Sequence, residues 1–344
     1  MTKINNIILA RPDRIGDVII STSCLKVIKE KYPKAKIYFL ASSNLKLLFH
    51  NHPDLDEFVS IPKGKIEILV PILKNLKADI VIHLQPNLKI EEAAAQAKIL
   101  IRIGFSFKKN NHKWLTHWVK YEKHKGKKHE AQYLFELLKY IGIKEPKNIK
   151  TKISPKPLEK LSLIHFALKN IINKFYAIIH VGAYNNKPKI SFEYLKAITL
   201  YLGKKYKLHI IFVGTSVLDF HIANKLQYIV KDKVKTYNFC QKTNLTELAW
   251  LLKNAKIAIS RDSGPAHLSA AMGTVTVTYF ITPNAINSSY RWQPLGKYSH
   301  IIEYPMKKFW WENDHTFAKR NLRKVSIFMI YSVIDKALKK LIII

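Results

Sequence analysis

Alternation constrains this chain more than any other feature. Short apolar runs rich in Ile, Val and Leu recur at 5–10, 36–41, 79–84, 176–181, 208–213, 256–260 and 275–280. Between them lie stretches with helical periodicity at 16–31, 89–100, 191–205 and 266–272. In 16–31, Val18, Thr22, Leu25 and Ile28 fall along one face. Apolar runs that alternate with amphipathic helices predict βαβ units and parallel sheets covered by helices. A chain of 344 residues with 48% hydrophobic content can bury two such cores. The stretch KEPKNIKTKISPKPLEK at 144–160 has three prolines and many lysines, and reads as a linker between two α/β halves. Asn244-Leu-Thr-Glu247 has the spacing of a capping box, and 324–340 reads as a final amphipathic helix.

Two handovers from strand to helix carry chemistry. The first reads SRDSGPAHLSAAMG over 260–273. Pro265 suits a first helical turn and Gly273 can end the helix. In a parallel sheet this loop lies at the carboxyl edge of its strand, where ligands bind. A helix N-terminus there offers N–H groups and a positive dipole end to an anion. Ser263 and Gly264 let a phosphate approach the backbone. An equally simple reading has Asp262 or Ser263 as a helix N-cap, with His267 packed in the core.

The second handover reads RPDRIGD over 11–17. It lacks the glycine spacing of a dinucleotide fingerprint, so no dinucleotide site is expected there. Instead it places Arg11, Asp13, Arg14 and Asp17 at one sheet edge, with Gly16 allowing close approach or an unusual backbone angle. An ionised Asp17 at a helix N-terminus can take a proton from a sugar hydroxyl. Alternatively Asp17 caps the helix, while Arg11 and Arg14 pair with Asp13.

Charge and cysteines narrow the partners. The formal net charge is +34, which favours anionic partners. Only seven of the 58 basic residues are Arg, and no zinc-finger spacing or RNA-recognition signature is present, so no specific nucleic acid partner is expected. Cys24 and Cys240 form no CxxC pair, which implies a reducing compartment and no structural metal. No apolar run reaches a membrane span, and 1–10 lacks the pattern of a signal peptide.

Together these segments resemble glycosyltransferase family 9, the bacterial lipopolysaccharide heptosyltransferases. RPDRIGDVIISTSCLKVIKEKYPKAKIYFLAS resembles the family's N-terminal signature, and ISRDSGPAHLSAAMGTVTVTYF its C-terminal one. RIGF at 102–105 and KTNLTELAWLLKNAK at 242–256 match its pattern in order. The resemblance implies a GT-B fold: two Rossmann-like domains facing a central cleft. On this sequence that means an acceptor-binding domain at 1–155, a nucleotide-sugar domain at 156–323, and a helix at 324–344 that returns to the first domain.

It further implies inverting, metal-independent transfer, most typically of heptose from ADP-heptose, to a lipopolysaccharide core. No cofactor or metal is implied beyond the nucleotide sugar. The other expected partner is an anionic glycolipid, met by a cytoplasmic protein peripheral to the inner membrane. Asp17 becomes the base, and Arg11, Asp13, Arg14 and Gly16 lie on the acceptor side. Asp262 would meet sugar hydroxyls, Ser263 and Gly264 the diphosphate, and His267 the same phosphates, while Pro265 shapes the turn. Lys189, with Lys187 as alternate, would neutralise the leaving diphosphate.

Three departures bear on the donor. Ser191-Phe192 replaces the family's Trp-Pro, Thr274-Val275 its Thr-Pro, and Phe280-Ile-Thr-Pro283 its longer glycine-containing loop. Two other classes compete: a non-catalytic GT-B protein that binds nucleotide or glycan, and a basic polyanion-binding protein. The first has no use for a carboxylate base. The second predicts salt-sensitive nucleic acid binding without affinity for sugar nucleotides.

Overall fold

The apolar runs fold as two parallel six-stranded sheets. A computed structural model describes residues 4–62, 66–107, 113–158, 175–182, 190–280, 285–303 and 326–342. The chain divides into two units, Met1–Lys156 and Pro157–Ile344.

The strands of the first unit are β1 (Asn6–Ala10), β2 (Lys36–Ser42), β3 (Glu57–Ile61), β4 (Ile80–His83), β5 (Ile101–Ser106) and β6 (His117–Lys120). They lie in the order β3-β2-β1-β4-β5-β6. Its helices are α1 (Ile15–Ser21), α2 (Ser23–Lys31), α3 (Ile66–Asn75), α4 (Leu88–Gln96) and α5 (Glu130–Leu138). In the second unit the strands are β7 (Tyr176–His180), β8 (His209–Val213), β9 (Thr236–Asn238), β10 (Ile257–Arg261), β11 (Thr276–Phe280) and β12 (Ser299–Glu303). Their order, β12-β11-β10-β7-β8-β9, is that of the first sheet read from the other edge. The second unit's helices are α6 (Phe192–Tyr206), α7 (Val217–Val230), α8 (Leu245–Asn254), α9 (Gly264–Ala271), α10 (Ser289–Trp292) and α11 (Ile327–Ile342).

This strand order is the doubly wound, Rossmann-like one. The order reverses beside the first strand of each unit, so loops leaving β1 and β4, or β7 and β10, part to opposite sides. That opens a crevice at the carboxyl edge. The central strands are apolar on both faces because helices cover both: Ile7, Ile8 and Leu9 are fully buried. On one face of the first sheet, Ile8, Leu40 and Val81 pack against Leu69 and Leu73 of α3 and Ile90 and Ala93 of α4.

The helix expected over 16–31 is interrupted. Three consecutive hydroxyls bond back to the preceding turn: Ser21 Oγ to Asp17 O at 2.8 Å, Thr22 Oγ1 to Ile19 O at 2.7 Å and Ser23 Oγ to Ile20 O at 2.7 Å. Such bonds compete with the helix ladder and bend it. Thr22 Oγ1 also accepts from Lys152 N–H at 3.0 Å, and Ser154 N–H bonds Leu48 O at 2.9 Å. The proline-rich stretch is thus tied to the first unit up to its boundary, rather than hanging free as a linker.

The apolar face of the last helix, α11, enters the core of the second unit. Ile330, Ile334, Ala337 and Leu338 join a core with Leu195 and Ile198 of α6 and Val277 of β11. Asp335 accepts from Tyr201 and Tyr206 hydroxyls at 2.7 and 2.6 Å and from Lys205 at 2.7 Å, and Tyr331 stacks on Tyr201 with ring centroids 3.7 Å apart. The apolar stripe of α11 faces this core because its polar partners lie on α6.

Candidate active site

Both sequence motifs stand at the switch point of their own sheet. β1 ends at Ala10, and Arg11 N–H still bonds Leu40 O, so the guanidinium starts from the sheet edge and is fully buried. Nη1 donates to Leu84 O at 2.9 Å, just past the end of β4. Nη2 donates to Asp17 Oδ1 at 2.7 Å and to Glu130 Oε1 at 3.1 Å. Nε lies 2.7 Å from Asp13 Oδ1, an ion contact without hydrogen-bond alignment. Lys123, also fully buried, donates to Glu130 Oε1 at 2.6 Å and Leu84 O at 3.2 Å, with its ammonium 4.5 Å from the Phe105 ring centroid.

Five charges thus share one network. Burial by itself would make Arg11 easier to deprotonate; Asp13, Asp17 and Glu130 reverse this and hold it protonated. Burial pushes the Asp13 carboxyl up to about 6, helped by Asp17 and opposed by Arg11 and Lys123. The cations are enclosed, while the side chains of Asp17 and Asp13 are 16% and 27% exposed. An open carboxylate braced from behind by a buried cation can meet a hydroxyl from solvent.

This geometry bears on the capping and pairing contacts expected of RPDRIGD. Asp17 is the third residue of α1, but its carboxylate bonds Arg11 and makes no capping bond among the described residues. Arg11, and not Arg14, is the partner of Asp13; Arg14 is exposed and outside the network. Gly16 is buried in the helix without a positive φ, so the unusual backbone angle is absent and close approach is the role left to it.

In the second unit, β10 hands over to α9 through Asp262 and Ser263. Ser263 occupies the N-cap position with extended backbone, yet caps nothing. Its hydroxyl bonds Arg261 O at 3.0 Å and meets Ser260 Oγ at 3.0 Å. Pro265 sits in the first turn as expected. Among the described residues no side-chain capping bond is made at this helix N-terminus, whose N–H groups and dipole favour an anion. His267 is buried, its Nε2 is 3.8 Å from Asp262 Oδ1, and its Nδ1 has no partner among the described residues. Gly264 opens α9, and Gly273, at φ +81°, follows its end. Lys187, Lys189 and the stretch 281–283 lie outside the described residues.

The profile described as "Glycosyltransferase family 9 (heptosyltransferase)" matches residues 69–309. The chain belongs to glycosyltransferase family 9. It is similar to lipopolysaccharide heptosyltransferase 1 of Campylobacter coli, 26% identical over 82% of this chain and 86% of that one. Its fold matches a family 9 glycosyltransferase from Veillonella parvula with TM-score 0.79 at 18% identity, covering 98% and 99% of the two chains. It also matches E. coli heptosyltransferase WaaC, solved with ADP, with TM-score 0.73 at 14% identity, covering 96% and 99%. This family 9 chain is a glycosyltransferase with the GT-B fold.

Several site residues escaped sequence reasoning. Glu130 and Lys123 lie more than 100 residues from Arg11, and one lysine among so many carries no signal. RIGF was read only as a family match; its Phe105 lies beside Lys123, and its Arg102 clamps the strand end by donating to Trp114 O and Ile99 O. In the second unit Arg261 is buried beside the expected Asp262, with Nε and Nη1 unpartnered among the described residues. His180 Nδ1 is 3.2 Å from Ser260 Oγ, and burial lowers its pKa to about 4, so the ring is neutral. Asp219 Oδ2 accepts Thr215 and Ser216 N–H at 3.0 Å each, while its Oδ1 has no partner among the described residues. A signal for Asp219 existed: Ser216 and Asp219 have the serine-to-acid spacing of a capping box, right after Gly214. Among the described residues, no three His, Cys, Asp or Glu side chains gather as metal ligands.

Proposed function

We propose that this protein is an inverting, metal-independent transferase that moves a sugar, with heptose from ADP-heptose the first choice, onto a lipopolysaccharide core acceptor. The observation that carries the reading is the position of both motifs at their sheets' switch points, one as a braced carboxylate and one as an uncapped helix end. The relatives named above include a lipopolysaccharide heptosyltransferase and one solved with ADP, which supports the donor and acceptor classes.

In this mechanism Asp17 accepts the proton of the acceptor hydroxyl as its oxygen bonds the anomeric carbon of the donor. The bond from that carbon to the diphosphate oxygen breaks, and attack from the opposite face inverts the centre. Negative charge gathers on the departing nucleoside diphosphate. The N–H groups of α9, His267 and Lys189 (or Lys187) would stabilise it, while Asp262 orients donor hydroxyls. Asp13, Arg11 and Gly16 shape the acceptor side, and exposed Arg14 is placed to meet acceptor anions. No cofactor is required.

The charge of +34 suits an anionic glycolipid at a membrane surface. Among the described residues no helix is long and apolar enough to cross a membrane. Peripheral attachment to the cytoplasmic face of the inner membrane fits that role.

A thermal-shift screen against ADP-, UDP-, GDP- and CMP-sugars, followed by transfer assays with and without EDTA or an iron chelator, tests the proposal. Stabilisation by ADP-sugars and chelator-resistant transfer are expected. No response to any nucleotide sugar at millimolar concentration, or transfer that stops with chelator and returns with a divalent ion, overturns it.

A further inference from the structure

We propose that the buried Glu130–Lys123 pair is a positioning device that sets the orientation and basicity of Asp17 by competing for Arg11. The proposal rests on the reading of Asp17 as the proton acceptor.

The geometry is specific. One nitrogen, Arg11 Nη2, serves both Asp17 Oδ1 at 2.7 Å and Glu130 Oε1 at 3.1 Å, so the two oxygens lie within about 6 Å of each other. Glu130 opens α5 and is 1% exposed, so its charge is screened little by solvent. By sharing Nη2, it keeps Arg11 from being wholly committed to Asp17. Lys123 acts in the opposite sense. It holds Glu130 Oε1 at 2.6 Å and shares the Leu84 carbonyl with Arg11. Its positive charge reaches the β1–α1 loop, where it is among the groups that lower Asp13. Among the described residues, the charged groups joined to Asp17 through Arg11 are Asp13 on the β1–α1 loop and Glu130 on α5, with Lys123 before α5 held by Glu130. Cys24 of α2 also senses Arg11 and Lys123, but burial pushes its thiol up to about 12 and keeps it neutral. Glu130 and Lys123 therefore bias the base with opposite signs, although neither needs to touch substrate.

The test uses the full chain and four variants. Glu130→Gln removes a negative charge and frees Nη2 for Asp17. The acid limb of the kcat/KM profile should move to lower pH by about half to one unit, and kcat should fall roughly tenfold, with the donor KM unchanged. Lys123→Met should move the same limb to higher pH. The double variant, which restores the network's net charge, should return it close to wild type. Lys123→Arg keeps the charge and should leave the limb in place. A purely structural pair would lower melting temperature in both single variants without shifts of opposite sign.

A second readout needs no substrate: the pH titration of 13C-labelled aspartate carboxyls, assigned with Asp17→Asn and Asp13→Asn, followed in the same variants. It decides the matter even if no sugar is transferred from any donor, so failure of the proposed activity and failure of this proposal are distinguishable. Opposite shifts in the two single variants support the proposal. Shifts of the same sign, or none in folded protein, overturn it. If a single variant does not fold, Lys123→Arg and the double variant carry the test: movement of either by a full unit is equally fatal.

Discussion

Replacing His83 with Leu should make the first unit resist acid. His83 ends β4, one residue before the carbonyl that receives both Arg11 and Lys123. It is 1% exposed, and among the described residues neither ring nitrogen has a partner. Burial, with the nearby Arg102 charge adding to it, lowers its pKa from 6.5 to about 3. A base whose folded value is depressed contributes stability that is fully present above 6.5 and is lost as pH falls toward 3. At pH 4.5 the unfolded imidazole is almost fully protonated and the folded one is neutral. The two-unit gap from 6.5 then costs the wild type about 3 kcal/mol, at about 1.4 kcal/mol per unit. This figure depends little on the folded value, which enters only below about pH 4. At pH 7.5 the substitution removes a buried polar ring that makes no hydrogen bond, so it should be neutral or slightly stabilising. The wild-type minus variant difference should therefore move by about 3 kcal/mol in favour of the variant between pH 7.5 and 4.5. Two units need not unfold together, so urea unfolding should be followed by pulsed hydrogen exchange of the peptide containing β4. A difference that stays flat with pH refutes the argument, because it means the ring finds water or a proton acceptor.

Four other outcomes follow from the sites. Asp17→Asn should lower turnover roughly 10²–10⁴-fold with donor affinity kept. Asp13→Asn should keep turnover; Asp13 is raised to about 6, so its favourable contribution exists below about 3.8 and is lost as pH rises through 6. That variant should then gain up to about 3 kcal/mol at pH 7.5, from a gap of about 2 units, and little at pH 4, read from melting curves. Ser216→Ala removes the capping box of α7 and should cost about 1 kcal/mol, whereas Ser263→Ala, which loses no cap, should cost less than half as much in the same denaturation assay. Gly214→Ala would place a Cβ 2.5 Å from Asp219 Cβ and should destabilise by about 2 kcal/mol; an unchanged melting temperature would show that Asp219 can move aside.

What the sequence by itself determined is what neighbours along the chain decide. Steric preference and apolar content mark the central strands, and seven were legible in register with their loops. Pro265 in a first turn, the Asn244–Glu247 capping box and the positive φ at Gly273 are equally local, since each depends on the backbone within four residues. The two motifs could be placed at sheet edges for the same reason. Tertiary structure decided the rest. Strands β3, β6, β9 and β12 are short edge or near-edge strands that exist because β2, β5, β8 and β11 offer them a ladder. The bend after α1 needed three hydroxyls in a row, and the surroundings of Thr22 include an N–H that comes from residue 152. α11 carries an apolar stripe in its sequence, but the stripe does not say which core it will enter. The charge network is the clearest case. Arg11, Lys123 and Glu130 are separately ordinary charged residues, and the low dielectric that makes them act as one group exists only once the first sheet and α5 exclude water around them.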